Sequence, residues 1–346
     1  MEVSIGWDVG GAHLKAARVE GQCVRAVVQV PCPLWQGIER LHEAVPQALA
    51  VVGETSNHAV TMTGELVDLF ASREEGVRSL ACALSEILAP ARVHLYAGTE
   101  GFVSVDAAAG NARAIASANW HASASLVARK LENALFVDMG STTTDVLPVS
   151  RGSVVAEGYT DGERLVSGEL IYSGLTRSFL MAVSDRAPFR GRWVPLMNEY
   201  FASMADVFRV LGELVEEVDQ HPAADGREKT APASRARLAR MIGADASDGD
   251  DEDWRRLAEW FAEAQLRAIE DGARQVLSRG VLRGECSVVG AGIGLPVVRR
   301  LALRLGLPFQ SFSARMDVSE TARPWADCCA PAVAVALLDA LRGGGK

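Results

Sequence analysis

The chain has 346 residues, of which 49% are hydrophobic, and this is enough for two lobes that each bury a core. Its formal net charge of −9 argues against nucleic acid as the main partner. No apolar segment approaches the roughly 18–20 residues that span a bilayer, and Asp8 interrupts the first apolar run, so we expect a cytoplasmic protein without a membrane partner. The six cysteines show no CxxC pair and no metal-ligand spacing, which predicts free thiols.

The first unit of the chain is a strand, a small-residue turn and a second strand. Apolar runs cover residues 3–7 and 14–19. The turn and its flanks supply five small or charged residues: Asp8, Gly10, Gly11, His13 and Lys15. Such a tip can direct backbone N–H groups at a phosphate, and Lys15 adds a cation able to reach phosphate oxygens.

Helical and strand patterns then alternate over residues 35–130, which is typical of an α/β lobe. A short strand over residues 58–63 leads into Glu65. We expect a helix over residues 107–117, with an interruption at Asn119 before an alanine-rich helix.

A second strand–turn–strand unit begins at residue 135, with apolar runs over residues 135–137 and 146–149. Its polar tip contains Asp138, Gly140, Ser141, Thr142, Thr143, Thr144 and Asp145. Two carboxylates at such a tip can hold a cation over a bound phosphate. The alternative is a polar hairpin that only turns the chain. The recurrence of strand, aspartate and small-residue turn about 130 residues after the first unit favours a duplicated lobe.

Beyond the second unit the chain is punctuated by glycines and then mainly helical. Charged residues are dense around Arg164 and Glu169. We expect a mainly helical insertion over about residues 176–282, which includes a helix over residues 198–218. A run of acids over residues 245–253 departs from the spacing of a calcium loop and predicts a solvated helix cap.

A third glycine-rich motif lies near the C-terminus, where a strand leads into a turn and a helix. Its glycines are Gly290, Gly292 and Gly294. This layout favours a turn that faces a phosphate or nucleotide, although the spacing is not that of the Rossmann fingerprint. Tight packing between the strand and the helix is an equally good interpretation of the motif taken alone.

In this order and spacing, the three motifs resemble the two phosphate loops and the adenosine loop of the actin, sugar kinase and heat-shock chaperone ATPases. The resemblance covers the whole chain. It implies an α/β, two-lobed actin-like ATPase (ribonuclease H-like) fold, with duplicated lobes around a central cleft and a helical insertion in the C-terminal lobe. The implied lobes are residues 1–133 and 134–346.

Residues 138–145 (DMGSTTTD) resemble the hydantoinase/oxoprolinase branch of that superfamily. Further stretches look like one subfamily of that branch, the tetrahydromethanopterin-linked C1-transfer pathway proteins, which are similar to the archaeal synthases of methanofuran biosynthesis. These stretches are residues 61–66 (TMTGEL), 119–120 (NW), 160–170 (TDGERLVSGEL), 202–206 (ASMAD), 225–227 (DGR) and 237–241 (RLARM).

This resemblance implies an alkylation. An aminomethyl-furanmethanol diphosphate loses diphosphate, and the phenol oxygen of γ-glutamyl-tyramine or a tyrosine-type analogue takes its place. Loop N–H groups, Lys15 and Mg²⁺ would stabilise the developing diphosphate anion. The implied cofactor is therefore Mg²⁺, whereas ATP is allowed by the loops but not expected to be required. The implied partners are these small molecules, and the resemblance also allows a homodimer.

The resemblance assigns roles to residues of the three motifs and their surroundings. The residues implied for catalysis are Lys15, Asp8, Asp138, Asp145 and Glu169, and the three aspartates are also the implied metal ligands. The residues implied for substrate or phosphate binding are Gly10, Gly11, His13, Gly140, Ser141, Thr142, Thr143, Thr144, Gly290, Gly292, Gly294, Glu65, Asn119 and Arg164. Arg164 either holds a substrate carboxylate or braces the cleft.

The phenol, with an ordinary pKa of about 10, needs a base or a cationic neighbour to attack at neutral pH. The candidate carboxylates are Glu65, Glu100, Glu169 and Asp206, and for each the alternative is a surface or salt-bridged side chain. Two other functions stay open. One is an ATP-dependent kinase or amidohydrolase of the oxoprolinase type, and the other is a non-catalytic nucleotide-binding module.

Overall fold

The structure is a computed structural model that describes residues 2–343. Its strands are β1 (Val3–Val9), β2 (His13–Glu20), β3 (Cys23–Pro31), β4 (Asn57–Met62), β5 (Arg92–Tyr96), β6 (Phe102–Ser104), β7 (Ala134–Met139), β8 (Thr144–Ser150), β9 (Ser153–Val154), β10 (Leu170–Ile171), β11 (Arg186–Phe189), β12 (Arg192–Pro195), β13 (Ser287–Ala291), β14 (Phe309–Ser311) and β15 (Asp317–Val318). Its α-helices are α1 (Glu39–Val52), α2 (Arg73–Ile87), α3 (Ala112–Ile115), α4 (Asn119–Ala128), α5 (Asp161–Ser167), α6 (Leu180–Val183), α7 (Met204–Val210), α8 (Ala231–Met241), α9 (Asp251–Ser278), α10 (Leu295–Leu305), α11 (Arg323–Ala326) and α12 (Ala330–Gly343).

Two mixed β-sheets repeat one topology. The first sheet has the order β15-β3-β2-β1-β4-β5-β6, and the second has the order β10-β8-β7-β13-β14, with β9 paired to β8. In each sheet an antiparallel hairpin, β1–β2 or β7–β8, lies beside two strands that run parallel to its first strand. Parallel strands need helical crossovers, and these place helices against the sheets. The predicted two-lobed α/β fold with duplicated lobes is confirmed.

The C-terminal segment returns to the first sheet. Strand β15 pairs with β3, and the alanine-rich helix α12 packs across β1, β2 and β4. Gly6 on β1 allows this close approach, because a Cβ atom there would overlap the backbone carbonyl of Ala332. The division between residues 133 and 134 stays a prediction, and about the last 30 described residues belong by packing to the first sheet.

The segment between β10 and β13 contains helices α6 to α9 and also the hairpin β11–β12, so the expected insertion is not helical throughout. The predicted helix over residues 198–218 is wrong in its extent, because only α7 forms. Ser203 caps its start with Asp206 in a capping box, and the left-handed backbone of Gly212 follows its end. The acidic run does cap helix α9, through Asp250 and Asp253.

The region before the second sheet also differs from its prediction. Residues 107–117 form short turns and the single-turn helix α3, and the chain then passes through Ser117 with a φ of +52°. Asn119 does not interrupt a helix but begins α4. The next residue, Trp120, is buried in the core, because its face of α4 packs under the strands and α12.

Two further expectations concern the cysteines, predicted to be free thiols, and the absence of a segment that spans a bilayer. All six cysteines are free thiols, and Cys329 is buried under the start of α12. In the part of the chain that the structure describes, no helix combines the length and the apolar character needed to cross a bilayer.

Candidate active site

The pairing of each hairpin determines which side chains meet at its tip. In β1–β2, Asp8 lies opposite Lys15, and in β7–β8, Asp138 lies opposite Asp145. The tips close in the same way, because Gly10 N–H donates to His13 O at 3.0 Å and Gly140 N–H donates to Thr143 O at 2.9 Å. The hairpins are therefore equivalent, except that the first carries a cation where the second carries a carboxylate.

Both tips face one cavity of about 490 Å³ between the sheets. The residues assigned from the sequence that line it are Asp8, Gly10, Gly11, His13, Lys15, Asn119, Asp138, Gly140, Ser141, Thr142, Thr143, Asp145 and Arg164. Most of the assigned residues are thus brought together, and their catalytic and binding roles stay predictions.

The backbone of the two tips offers donors to a ligand. Within residues 2–343, no acceptor hydrogen-bonds the N–H groups of Gly11, Ala12, Ser141 and Thr142. Backbone donors are seldom left without a partner, and successive N–H groups in a turn form concave sites for anions. Two such groups of donors from opposite sides of one cavity suit a ligand with more than one phosphate.

The charges beneath the tips lie close together, with Asp8 buried and Lys15 and Asp138 half-buried. Lys15 Nζ lies 3.2 Å from Asp8 Oδ2, and Asp8 is 3% exposed. Burial acts to lower the pKa of Lys15, but the carboxylates of Asp8 and Asp138 raise it above its ordinary value. Burial raises the pKa of Asp138 to about 7, against the opposing effect of Lys15. The cavity floor therefore holds one firmly charged ammonium group among three aspartates.

These aspartates do not form a metal cage by themselves. Among the described residues, no group of three or more His, Cys, Asp or Glu side chains is placed to hold a metal ion. Asp145 is engaged by Arg164 at 2.6 Å, whereas the buried Oδ1 of Asp8 has no hydrogen-bond partner between residues 2 and 343. Mg²⁺ is usually bound by one or two carboxylates together with phosphate oxygens and water. Asp8 and Asp138 fit Mg²⁺ in that manner.

His13 lines the cavity as a neutral ring. Burial lowers its pKa to about 2, and the neighbouring His221 and Lys15 contribute to this shift. The ring of His13 lies edge-on to that of His221, with 4.6 Å between the centroids. His13 is therefore neutral in the ligand-free protein, and its ring can donate or accept a hydrogen bond.

Arg164 braces the cleft. Its Nη1 donates to Asp145 at 2.6 Å, its Nη2 donates to Asp161 at 3.2 Å, and its guanidinium lies 4.7 Å from the centroid of the Trp120 ring. Asp161 also forms an ion pair with Arg73 of helix α2, at 3.2 Å. Because this network joins the two sheets and is buried at Arg164, it fixes Asp145 and leaves no free donor fork for a substrate carboxylate.

Glu169 was assigned to catalysis from the sequence, but the structure places it behind the cavity in a network of its own hydrogen bonds. Its carboxylate accepts hydrogen bonds from Glu157 N–H, Gly158 N–H, the Ser167 hydroxyl and Arg279, at 2.5–2.9 Å. It is fully buried and does not line the cavity. Burial acts to raise its pKa, but these donors hold the pKa below its ordinary value, as expected for a structural carboxylate.

The glycine-rich motif also does not face the cavity. Gly292 N–H donates to Asp327 O and Gly294 N–H donates to Met139 O, both at 2.8 Å, so these donors are already used. A Cβ atom on Gly292 or Gly294 would overlap Met139, and one on Gly290 would lie 2.7 Å from Phe309. The motif thus serves tight packing behind the second tip. Thr144 is likewise structural, because its hydroxyl donates to Ser173 O at 2.7 Å.

The candidate bases are also not placed for catalysis at this cavity. Glu100 is exposed away from it. Asp206 is 2% exposed and accepts hydrogen bonds from Arg237, Ser234 and the N–H of Ser203. Its oxygens are occupied, so its role is structural.

Glu65 lies one residue behind the cavity wall. Ser117, which lines the cavity, donates its hydroxyl to Glu65 Oε1 at 2.9 Å, and Glu65 is 1% exposed. Burial raises the pKa of Glu65 to about 7. The left-handed backbone of Ser117 directs this contact, and a non-glycine residue adopts such a conformation only when its surroundings require it.

We expect Glu65→Gln to stabilise the protein more at pH 8 than at pH 5. The folded-state pKa lies above the unfolded value of 4.5, so the folded state binds more protons and stability falls as the pH rises through this window. Glutamine does not titrate, and its advantage should reach up to about 3 kcal/mol at pH 8. Urea unfolding at both pH values measures it, with the exposed Glu86→Gln on α2 as the control. An advantage independent of pH would contradict the prediction.

Several cavity residues were not anticipated from the sequence. They are Trp35, Ser117, Asp161, Tyr172 and Arg177. Asp161 lies within the motif-like stretch 160–170 but was given no role there, and the other four belong to no recognisable motif. The one local signal was the capping box at Thr160 and Glu163, which predicts helix α5 and so the placement of Arg164.

Comparison with known proteins gives three findings. The family model described as hydantoinase/oxoprolinase matches residues 56–336 of this chain. A (4-{4-[2-(gamma-L-glutamylamino)ethyl]phenoxymethyl}furan-2-yl)methanamine synthase of Methanocaldococcus jannaschii is 28% identical over 296 residues, which is 85% of this chain and 87% of the synthase. A synthase of the same name from Methanococcus vannielii is 27% identical over 168 residues, which is 49% of this chain and 74% of that protein.

Among solved structures, nucleotide-free acetone carboxylase aligns with a TM-score of 0.58 at 12% sequence identity. The alignment covers 96% of this chain and 70% of that chain. At this identity the likeness shows a shared fold alone.

Proposed function

Because this chain belongs to the hydantoinase/oxoprolinase family, we propose that it is an aryl-ether-forming synthase of methanofuran biosynthesis. It joins an aminomethyl-furanmethanol diphosphate to the phenol oxygen of a tyramine- or tyrosine-type acceptor, with or without a γ-glutamyl group. The observation that carries the proposal is the cavity into which two tips direct unpaired N–H groups over Lys15. The two synthase relatives support the substrate class, because their name describes a phenoxymethyl-furan ether.

The step is a displacement at the CH₂ group attached to the furan. The carbon–oxygen bond to diphosphate breaks and its electron pair leaves with diphosphate. The phenol oxygen forms the new carbon–oxygen bond, and the phenolic proton passes to water. A furan ring can carry positive charge at the attached carbon, so stabilising the diphosphate anion lowers the barrier most effectively.

In this proposal the protein contributes fixed donors and charge. The N–H groups of both tips hold the diphosphate, and Lys15 neutralises the charge that develops on it. Asp8 and Asp138 would hold Mg²⁺, which supplies further positive charge at the diphosphate when bound. Arg164 keeps Asp145 in place, so that the cavity floor does not rearrange during the reaction.

An ATP-dependent kinase or amidohydrolase is the second candidate, since the same family and the same loops accommodate ATP chemistry. The engaged N–H groups of Gly292 and Gly294 favour the synthase, because they leave those donors unavailable to a nucleotide. A non-catalytic nucleotide-binding module is less well supported, because both curated relatives are named as enzymes.

The purified protein is expected to release diphosphate only when the furan diphosphate, a phenolic acceptor and Mg²⁺ are all present. ATP should be neither required nor hydrolysed, because the diphosphate ester already provides the driving force. A coupled diphosphate assay and mass spectrometry of the ether measure the two products. The matched controls omit the acceptor, omit Mg²⁺ or replace the furan diphosphate with ATP. Rapid ATP turnover without diphosphate release from the furan substrate would favour the kinase or amidohydrolase.

A further inference from the structure

A second cavity of about 430 Å³ opens beside the first. The two cavities share Thr142, Tyr172 and Arg177 as lining residues. His13 lines the first cavity and its ring partner His221 lines the second. The cavities are therefore continuous at the tip of the second hairpin, where a group in one can reach a group in the other.

One side of the second cavity is aromatic and apolar. Phe179 and Tyr200 line it with their ring centroids 4.4 Å apart, and they are 43% and 45% exposed. Tyr172 at the junction is 70% exposed, and small apolar residues such as Ala182 and Val183 complete the wall. Exposed aromatic side chains grouped in a concave surface are typical of sites that bind another ring.

The charged groups of this cavity are paired, with one exception. Asp206 contacts Arg237 at 2.7 Å, and Arg209 contacts Asp219 at 2.6 Å. Arg177 has no carboxylate partner among residues 2–343. Burial lowers the pKa of its guanidinium, and Tyr172 and Tyr200 act to raise it. Its guanidinium lies 5.2 Å from the centroid of the Trp35 ring. A half-buried cation without a counter-ion at the junction is suited to an anionic oxygen.

Arg177 is held by the second tip itself. Its backbone N–H donates to Ser141 O at 2.8 Å, and Leu175 N–H donates to Gly140 O at 2.9 Å. Gly174 allows this contact, because a Cβ atom there would lie 2.5 Å from the backbone of Ser141. The same loop that offers N–H groups to the first cavity therefore positions the cation of the junction.

We propose that the second cavity binds the phenolic acceptor, with its ring against Phe179 and Tyr200 and its oxygen at Arg177. This inference rests on the proposed synthase function, which requires an acceptor site next to the diphosphate site. The phenol oxygen loses its proton to water, and Arg177 stabilises the phenolate. The oxygen then forms the bond to the CH₂ carbon, while the electron pair of the broken bond leaves with diphosphate into the first cavity.

The direct test measures the binding of tyramine to the purified protein by calorimetry, without any furan substrate. Arg177→Ala and Tyr200→Leu are each expected to weaken tyramine binding about tenfold, and Arg177→Lys should weaken it less. Arg299→Ala is the matched control, because Arg299 also lies over an aromatic ring, Phe309 at 4.9 Å, but lines neither cavity. Circular dichroism of every variant verifies the fold. Equal tyramine affinity in all variants would overturn the proposal.

Two further measurements separate this inference from the proposed function. In turnover, Arg177→Ala should raise KM for the acceptor about tenfold and leave KM for the furan diphosphate within about threefold. The affinity for inorganic diphosphate with Mg²⁺ should also be nearly unchanged. If diphosphate affinity falls and tyramine affinity does not, Arg177 serves the leaving group and the acceptor site is disproved. If tyramine binds as expected but no ether forms, the synthase function fails and the aromatic site stands.

Discussion

Lys15→Ala is expected to lower the turnover of the synthase by about 10²–10³-fold, the usual effect of removing one donor aimed at a developing anion. Lys15 is the ammonium group of the cavity floor, and its pKa is held above the ordinary value by the adjacent carboxylates. Its charge matters most in the transition state, where negative charge accumulates on the diphosphate. The effect should therefore appear in kcat and kcat/KM alike, with a smaller change in KM.

The measurement is steady-state diphosphate release with both substrates at saturation. Lys130→Ala, at an exposed position in the turn after α4, is the control for loss of a lysine. Removing Lys15 also leaves Asp8 buried without its cation, so the thermal midpoint of each variant should be measured together with activity. Lys15→Arg retains the charge and should recover part of the rate. A fully active Lys15→Ala protein of normal stability would contradict the assigned role.

The two tips were predictable from the sequence because local rules govern them. Alternation along a strand places Asp8 opposite Lys15 once the turn length is fixed, and small residues at Gly10 and Gly140 allow the turn. The repetition of the unit then predicts that the fold is duplicated. The same reasoning predicted the four strands of the two hairpins to within about two residues, since apolar runs in buried strands have clear ends.

The other residues of the site are positioned by contacts between residues far apart in the chain, which the sequence does not show. Glu169 looked catalytic because a sequence shows a carboxylate but not its donors, and Arg279, which neutralises it, lies 110 residues away. The glycine-rich motif could either face a phosphate or pack tightly between strand and helix. The structure distinguishes the two, because a Cβ atom on Gly292 would overlap Met139. Arg177 reaches the junction through a backbone contact with Ser141, for which the sequence carries no signal.

Asp206→Ala is expected to reduce the free energy of unfolding by about 3–5 kcal/mol, the usual result of removing one partner from a buried ion pair. Asp206 accepts hydrogen bonds from Arg237 Nε and the Ser234 hydroxyl, both at 2.7 Å, and Arg237 is fully buried. Without Asp206, this guanidinium retains Asp225 at 3.1 Å but loses its buried counter-ion. Urea unfolding followed by tryptophan fluorescence measures the change, with the exposed Asp271→Ala on α9 as the control.

A double variant distinguishes a structural pair from a catalytic carboxylate. Arg237→Met combined with Asp206→Leu removes both charges and retains apolar volume, so its loss of stability should be smaller than the sum of the two single losses. The coupling arises because each single variant leaves one buried charge without its partner. Additive losses would mean that Asp206 and Arg237 act independently. Normal stability of Asp206→Ala together with lost ether formation would instead return Asp206 to the list of candidate bases, since it lines the second cavity.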